Sequence, residues 1–206
     1  GKTTTLAAIM AILLARGDSV LLVSHTHAAI DTVLCKLADR FDISKGLRIG
    51  PVDRVHEKLR FMTNLDPTCS QVEFNQRLNS VQLVAGTCHS TQHHPLFMKR
   101  RSFTWCIVDE ATQVTLPACL GALRLAGKFL LVGDPHQLPP LVRSRHPDAK
   151  AALCHSLHHR LLEAHPDAAC WLQQQYRMNE EIMSIPNALV YDGRLICANQ
   201  TVSCRR

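Results

Sequence analysis

Along this chain, short apolar runs end abruptly in small, hydroxylated or acidic residues, and between the runs apolar residues return every three or four positions. The uninterrupted runs predict strands buried on both faces, and the longer period predicts helices packed on a sheet. Strands are expected at 19–24 (SVLLVS), 47–50, 81–86 (VQLVAG), 105–108 (WCIV), 128–132 and 171–175. Helices are expected at 6–16, at 26–40 with Ile30, Val33, Leu34, Leu37 and Ala38 on one face, at 114–125 with a break near Pro117, at 149–164 and at 180–189. Residues 51–80 are more polar and mixed in charge, and read as helical insertions on the sheet. Strands alternating with helices give an α/β class with a parallel sheet. A fresh strand and helix after residue 168 divide the chain into a domain at 1–168 and the start of a second at 169–206.

Open α/β sheets bind ligands at the carboxyl ends of their strands, so the residues closing each run carry the candidate chemistry. The run at 105–108 closes on Asp109 and Glu110. Such a pair can hold magnesium with one carboxylate and polarise a water with the next, although a solvated acidic turn is the plainer alternative. Residues 1–5, GKTTT, ahead of a helical run, match the second half of the phosphate-binding pattern G-x-x-x-x-G-K-[ST]. In that pattern helix N-terminal amides and Lys2 surround the phosphates while the Thr3 hydroxyl reaches the metal; taken alone, the same residues make an ordinary helix start. Ser24-His25-Thr26-His27 and Thr87-Cys88-His89-Ser90 close two further strands with hydroxyls and imidazoles that suit a nucleic acid backbone. A helix cap by Ser24 or Thr26 is the structural alternative. After 128–132 comes GDPHQLPP (133–140), whose prolines constrain Gln137, a side chain suited to sensing a terminal phosphate. Tyr176-Arg177-Met178-Asn179 follow the strand at 171–175.

A formal charge of +6 suits a polyanionic partner, and Lys99-Arg100-Arg101 concentrate it, although a solvated basic turn is the plainer reading of that triplet. Nine cysteines form no CxxC pair, and several sit inside apolar runs, which fits reduced thiols filling a core in an intracellular protein. Cys154, His155, His158 and His159 lie close in sequence but lack the second ligand cluster of a structural zinc site. No apolar run is long and uninterrupted enough to span a bilayer, so no membrane segment is expected. The chain opens on Gly1-Lys2-Thr3 without a methionine and is expected to be cut from a longer protein, with residues 1–206 alone inactive.

GKTTT, SHTHAAID, VDEATQ, GDPHQLPP and QQYRMNEEIM, in that order, resemble the superfamily 1 helicases of the 5′ to 3′ branch, over nearly the whole chain. HHPLF at 93–97, CLGAL at 119–123 and YDGRL at 191–195 resemble in particular the eukaryotic helicase/nucleases of DNA replication, with RNA-surveillance helicases as close relatives. The resemblance implies a RecA-like P-loop NTPase domain with a parallel sheet, followed by the start of a second RecA-like domain. It implies ATP and Mg2+, with Gly1, Lys2, Thr3 and Thr4 at the phosphates, Asp109 as second metal contact, Glu110 as catalytic base and Gln137 as phosphate sensor. Tyr176 matches the residue that stacks on adenine, Arg177 the arginine that reaches the terminal phosphate. Residues 24–27 and 87–90 correspond to loops that touch single-stranded nucleic acid. The implied function is ATP-driven movement on single-stranded DNA in replication and repair, in flap processing and end resection, alongside a single-strand-binding protein. The implied compartment is the nucleus, with the mitochondrion as a second. A nuclease domain and an iron–sulfur cluster belong to other parts of the implied parent. Three rival readings stay open: a helicase of the RNA-surveillance type, a small-molecule phosphotransferase and a non-catalytic nucleic-acid-binding module. The phosphotransferase would need neither Gln137 nor Arg177, and a decayed module would not need Lys2, Glu110 and Arg177 together.

Overall fold

Five apolar runs pair side by side, all parallel, in the order β2-β3-β1-β4-β5. These strands are β1 (Val20–Ser24), β2 (Leu47–Arg48), β3 (Leu83–Thr87), β4 (Phe103–Asp109) and β5 (Ala126–Leu131). The computed structural model describes residues 1–63, 70, 72, 73, 76, 80–93 and 102–205. Among these the chain divides into one unit, Thr3–Ala164, and another formed by Gly1–Lys2 with His165–Arg206.

The first unit shows why β1 and β3 lack a polar alternation: both faces of the sheet are covered. Leu21, Val23, Val84, Cys106 and Val108 enter one core together with Cys119 and Ala122 of the helix Leu116–Leu123. Val20, Leu22, Leu83, Ala85 and Ile107 enter the other, beneath the helices α1 (Lys2–Ala15) and α2 (His27–Ala38). The register aligns the carboxyl ends of three strands, since Ser24 pairs with Thr87 on one side and with Asp109 on the other. Side-chain alternation then puts all three of these residues on the face that α1 and α2 cover. β5 lies at the end of the described sheet, and its Phe129 is half exposed.

Several expected elements are redrawn. Pro117 does not break a helix but sits in the first turn of Leu116–Leu123, where a missing N–H costs no internal hydrogen bond. The helix expected at 149–164 is two, Pro147–Leu153 and Leu157–Ala164, and the Ser156 hydroxyl accepts from the His159 amide at 3.1 Å to start the second. Between 51 and 63 the insertion forms two short 3-10 turns, Val52–Arg54 and Glu57–Thr63. The basic triplet at 99–101 and most of HHPLF lie outside the described residues.

In the second unit the strand expected at 171–175 shortens to β6 (Gln174–Gln175), which pairs in parallel with β7 (Ile196–Cys197). Between them runs the helix Glu180–Leu189, capped by Asn179, whose Oδ1 accepts from the Ile182 amide at 2.8 Å. The return to β7 turns at Asp192 and Gly193, both with positive φ, and the Asn187 amide pins it by bonds to both the N–H and C=O of Leu195.

Candidate nucleotide and nucleic acid site

At the end of β4 the backbone changes hand. Asp109 continues the strand and is only 5% exposed, whereas Glu110 adopts a left-handed conformation (φ 50°, ψ 41°) and is partly exposed. A residue other than glycine takes this conformation only where its surroundings enforce it. Here the enforcement comes from the residue after β5: Val132 donates to the Val108 carbonyl and Ala111 donates to the Val132 carbonyl, each at 2.8 Å. The two carboxylates therefore leave the strand differently, one buried at its tip and one turned outward. Gln113, to which the sequence alone assigns no role, brings Nε2 to 3.5 Å from Glu110 Oε2.

Gly133 joins this turn to the following loop. A β-carbon there would stand 2.9 Å from Thr112 Cγ2 and 3.2 Å from the Thr112 amide nitrogen, so only glycine permits the approach. One residue on, Asp134 organises the proline-rich loop: its carboxylate accepts from the His136 amide at 3.1 Å and from Gln137 Nε2 at 2.8 Å. Gln137 is exposed, and its side chain is aimed by Asp134 as well as by the prolines. Lys2, Thr3 and Thr4 open α1; the Thr4 hydroxyl accepts from Lys36 Nζ at 3.2 Å. Thr3 and Asp109 offer hydroxyl and carboxylate oxygens, a donor set that suits a hard divalent cation such as Mg2+.

The loop at 24–27 divides by role. Ser24 is fully buried and so is withdrawn as a direct nucleic acid contact; as the last residue of β1 its side chain faces the covered side of the sheet. Thr26 caps α2, its hydroxyl accepting from the Ala29 amide at 3.2 Å. His25 is exposed and His27 partly so. His27 is held by Arg48, which lies outside every motif, and through it by Asp31, the last residue of SHTHAAID. Fully buried Arg48 donates from Nη2 to His27 Nδ1 at 2.9 Å and from Nε to Asp31 Oδ1 at 2.8 Å, while Asp31 Oδ2 accepts from the His56 amide at 2.8 Å. A guanidinium has no acceptor to offer, so His27 Nδ1 accepts and the proton sits on Nε2. Burial, then the Arg48 charge, holds the His27 pKa below its ordinary value. Gly50, at φ 147°, leaves room for the ring, since a β-carbon there would meet His27 Cε1 at 2.8 Å.

The second loop divides similarly. Thr87 and Cys88 are buried and are withdrawn as direct contacts, because Thr87 completes β3 and Cys88 begins the helix Cys88–His93. The Thr87 hydroxyl pairs with the Ser90 hydroxyl at 2.8 Å, which leaves exposed His89 and partly exposed Ser90 at the surface. The thiols of Cys88 and Cys119 are pushed up to about 12 by burial, and that of Cys106 is raised further for the same reason, so all three act as core fillers. Tyr176 and Arg177 are exposed on the turn after β6.

Two AAA domain families match the chain, one over residues 62–145 and the other over 153–206. The DNA replication ATP-dependent helicase/nuclease of Xenopus laevis is 43% identical over 209 residues, which is 98% of this chain and 19% of that protein. The protein of the same name from Homo sapiens is also 43% identical over 98% of this chain and 19% of its own, and that of Saccharomyces cerevisiae 38% identical over 98% of this chain and 13% of its own. The chain is similar to these replication helicase/nucleases over nearly its whole length. It spans about a fifth or less of the length of these relatives. Among solved structures, an arterivirus nonstructural protein 10 helicase in complex with DNA aligns with 96% of this chain and 39% of its own, at a TM-score of 0.55 and 18% identity, a likeness of fold. Val132 and Gly133 tie the turn that carries Glu110 to the start of the loop that carries Gln137, whereas Tyr176 and Arg177 belong to the other unit.

Proposed function

We propose that this chain is the ATP-hydrolysing core of a helicase that moves along single-stranded DNA. Its parent would act in DNA replication and repair, on flaps and resected ends, with a nuclease domain outside these residues. The observation that carries the reading is the left-handed turn at Glu110, which parts two adjacent carboxylates and is packed by Gly133 against the loop of Gln137. Glu110 accepts a proton from the water that attacks the γ-phosphorus of ATP, while the bond from that phosphorus to the ADP oxygen breaks. Gln137 reads the terminal phosphate, and Gly1, Lys2 and Thr4 cradle the phosphate chain. Thr3 and Asp109 hold Mg2+, which when bound neutralises phosphate charge. Tyr176 stacks on adenine, and Arg177 meets charge that grows on the transferring group. His25, Thr26, His27, His89 and Ser90 touch the strand's backbone, a contact mode indifferent to sequence.

We place the parent in the nucleus, working beside a single-strand-binding protein, and assign the implied iron–sulfur cluster to other parts of it. Among the described residues no three His, Cys, Asp or Glu side chains group to hold a metal ion, and no helix is long and apolar enough to cross a membrane. The test is ATP hydrolysis by the purified parent with no nucleic acid, with single-stranded DNA and with single-stranded RNA. Strong stimulation by DNA and little by RNA is expected. Equal stimulation by RNA would move the protein to the RNA-surveillance type, and stimulation by neither would remove the motor reading.

A further inference from the structure

Gln175 ends β6 partly buried, and its carboxamide turns back beneath the three residues that follow. Its Oε1 accepts from the Arg177 amide at 2.9 Å and from the Met178 amide at 2.8 Å. Its Nε2 donates to the Met178 carbonyl at 2.7 Å and faces Cys197 Sγ at 3.1 Å and Met183 Sδ at 3.4 Å. Both lone pairs of the oxygen are used, and both protons of the nitrogen are directed at partners, so one planar group is saturated. It ties the turn to β7 through Cys197 and to the helix Glu180–Leu189 through Met183. Arg205 Nη1 adds longer contacts to the carbonyls of Tyr176, at 3.4 Å, and Arg177, at 3.5 Å. The side chains of Tyr176 and Arg177 stay exposed while the backbone beneath them is fixed.

We propose that Gln175 is a positioning residue for ATP hydrolysis, its carboxamide fixing the turn that presents Tyr176 to adenine and Arg177 to the terminal phosphate. The proposal rests on the proposed function, in which these two residues meet the nucleotide. Only a carboxamide supplies two acceptor sites and the donors from one group of this size. Glutamate keeps the acceptors and loses the donors; methionine keeps the length and the apolar packing and loses every bond to the turn. Misplacing a reacting or stabilising group by a fraction of its span costs orders of magnitude in rate, and one loosened turn here would misplace two such groups together.

The experiment uses the full parent protein, with Gln175→Met, Gln175→Glu and Arg177→Ala compared for melting temperature and for kcat and KM(ATP) of DNA-stimulated hydrolysis. Gln175→Met is expected to keep a melting temperature near that of the wild type, to lower kcat by about 10-fold or more and to raise KM for ATP, because one turn carries both nucleotide contacts. Gln175→Glu should fall between Gln175→Met and the wild type. If Arg177→Ala abolishes hydrolysis while Gln175→Met leaves kcat and KM unchanged, the positioning role is overturned and the arginine reading survives. If Gln175→Met loses activity only in proportion to the folded fraction, at unchanged KM, the residue is structural and the proposal is overturned. Normal hydrolysis by Arg177→Ala would overturn the role given to the arginine itself.

Discussion

His27 shows how one buried cation can set the chemistry of a partly exposed side chain. Arg48 occupies Nδ1, Asp31 holds Arg48, and the imidazole is left neutral with its proton on Nε2, ready to donate to a phosphate oxygen. Its folded pKa lies below the ordinary histidine value of 6.5 because burial and the Arg48 charge oppose protonation, only partly offset by Asp31 and Asp53. As pH falls below about 6.5 the unfolded chain takes up this proton before the folded one does. The stability present above that value is therefore lost as pH drops through the folded pKa. His27→Gln removes the titrating ring, so between pH 8 and pH 5 the wild-type parent should lose more melting temperature than the variant; parallel losses would show that His27 is not held in this way. None of this is legible in the sequence. Asp31 closes the SHTHAAID stretch, but Arg48 lies 17 residues on and outside every motif, so nothing local announces their pairing. The burial of Ser24, Thr87 and Cys88 is hidden for a related reason: apolar runs locate the ends of the strands, but side-chain alternation decides which strand-end residues face the covered side.

At the scale of elements, the turn after β4 and the loop after β5 act as one piece. Backbone bonds across Val132 and the close approach of Gly133 to Thr112 couple Glu110 to the loop that carries Gln137. Gly133→Ala would force a methyl against Thr112, an overpacking that costs about 1–3 kcal/mol and displaces both residues. The expected result in the parent is a lower melting temperature together with slower hydrolysis per folded molecule. A variant normal in both would show that the two loops are independent. The strands are legible because a short apolar run closed by polar residues, set between helical stretches, is the pattern of a strand buried on both faces. The helices at 116–123 and 147–164 depart from expectation where proline and serine set local starts, since helical periodicity alone does not resolve a cap inside an apolar stretch.

At the scale of the molecule, Asp109, Glu110 and Gln137 belong to the unit Thr3–Ala164, and Tyr176 and Arg177 to the unit formed by Gly1–Lys2 with His165–Arg206. Five ordered motifs make the helicase class legible: four follow strands, where the fold puts ligands, and GKTTT opens α1. Gln113, Gly133 and Gln175 belong to those motifs, but their supporting roles become visible only as contacts. The motor reading depends on Glu110 being the base for ATP hydrolysis. The most direct test is the single-turnover rate of DNA-stimulated ATP hydrolysis by the parent carrying Glu110→Gln, with ATP binding measured on the same sample. Near-normal ATP binding is expected, with hydrolysis slowed by about 10²-fold or more, the scale of general-base catalysis. Hydrolysis near the wild-type rate, with ATP bound, would contradict that role for Glu110.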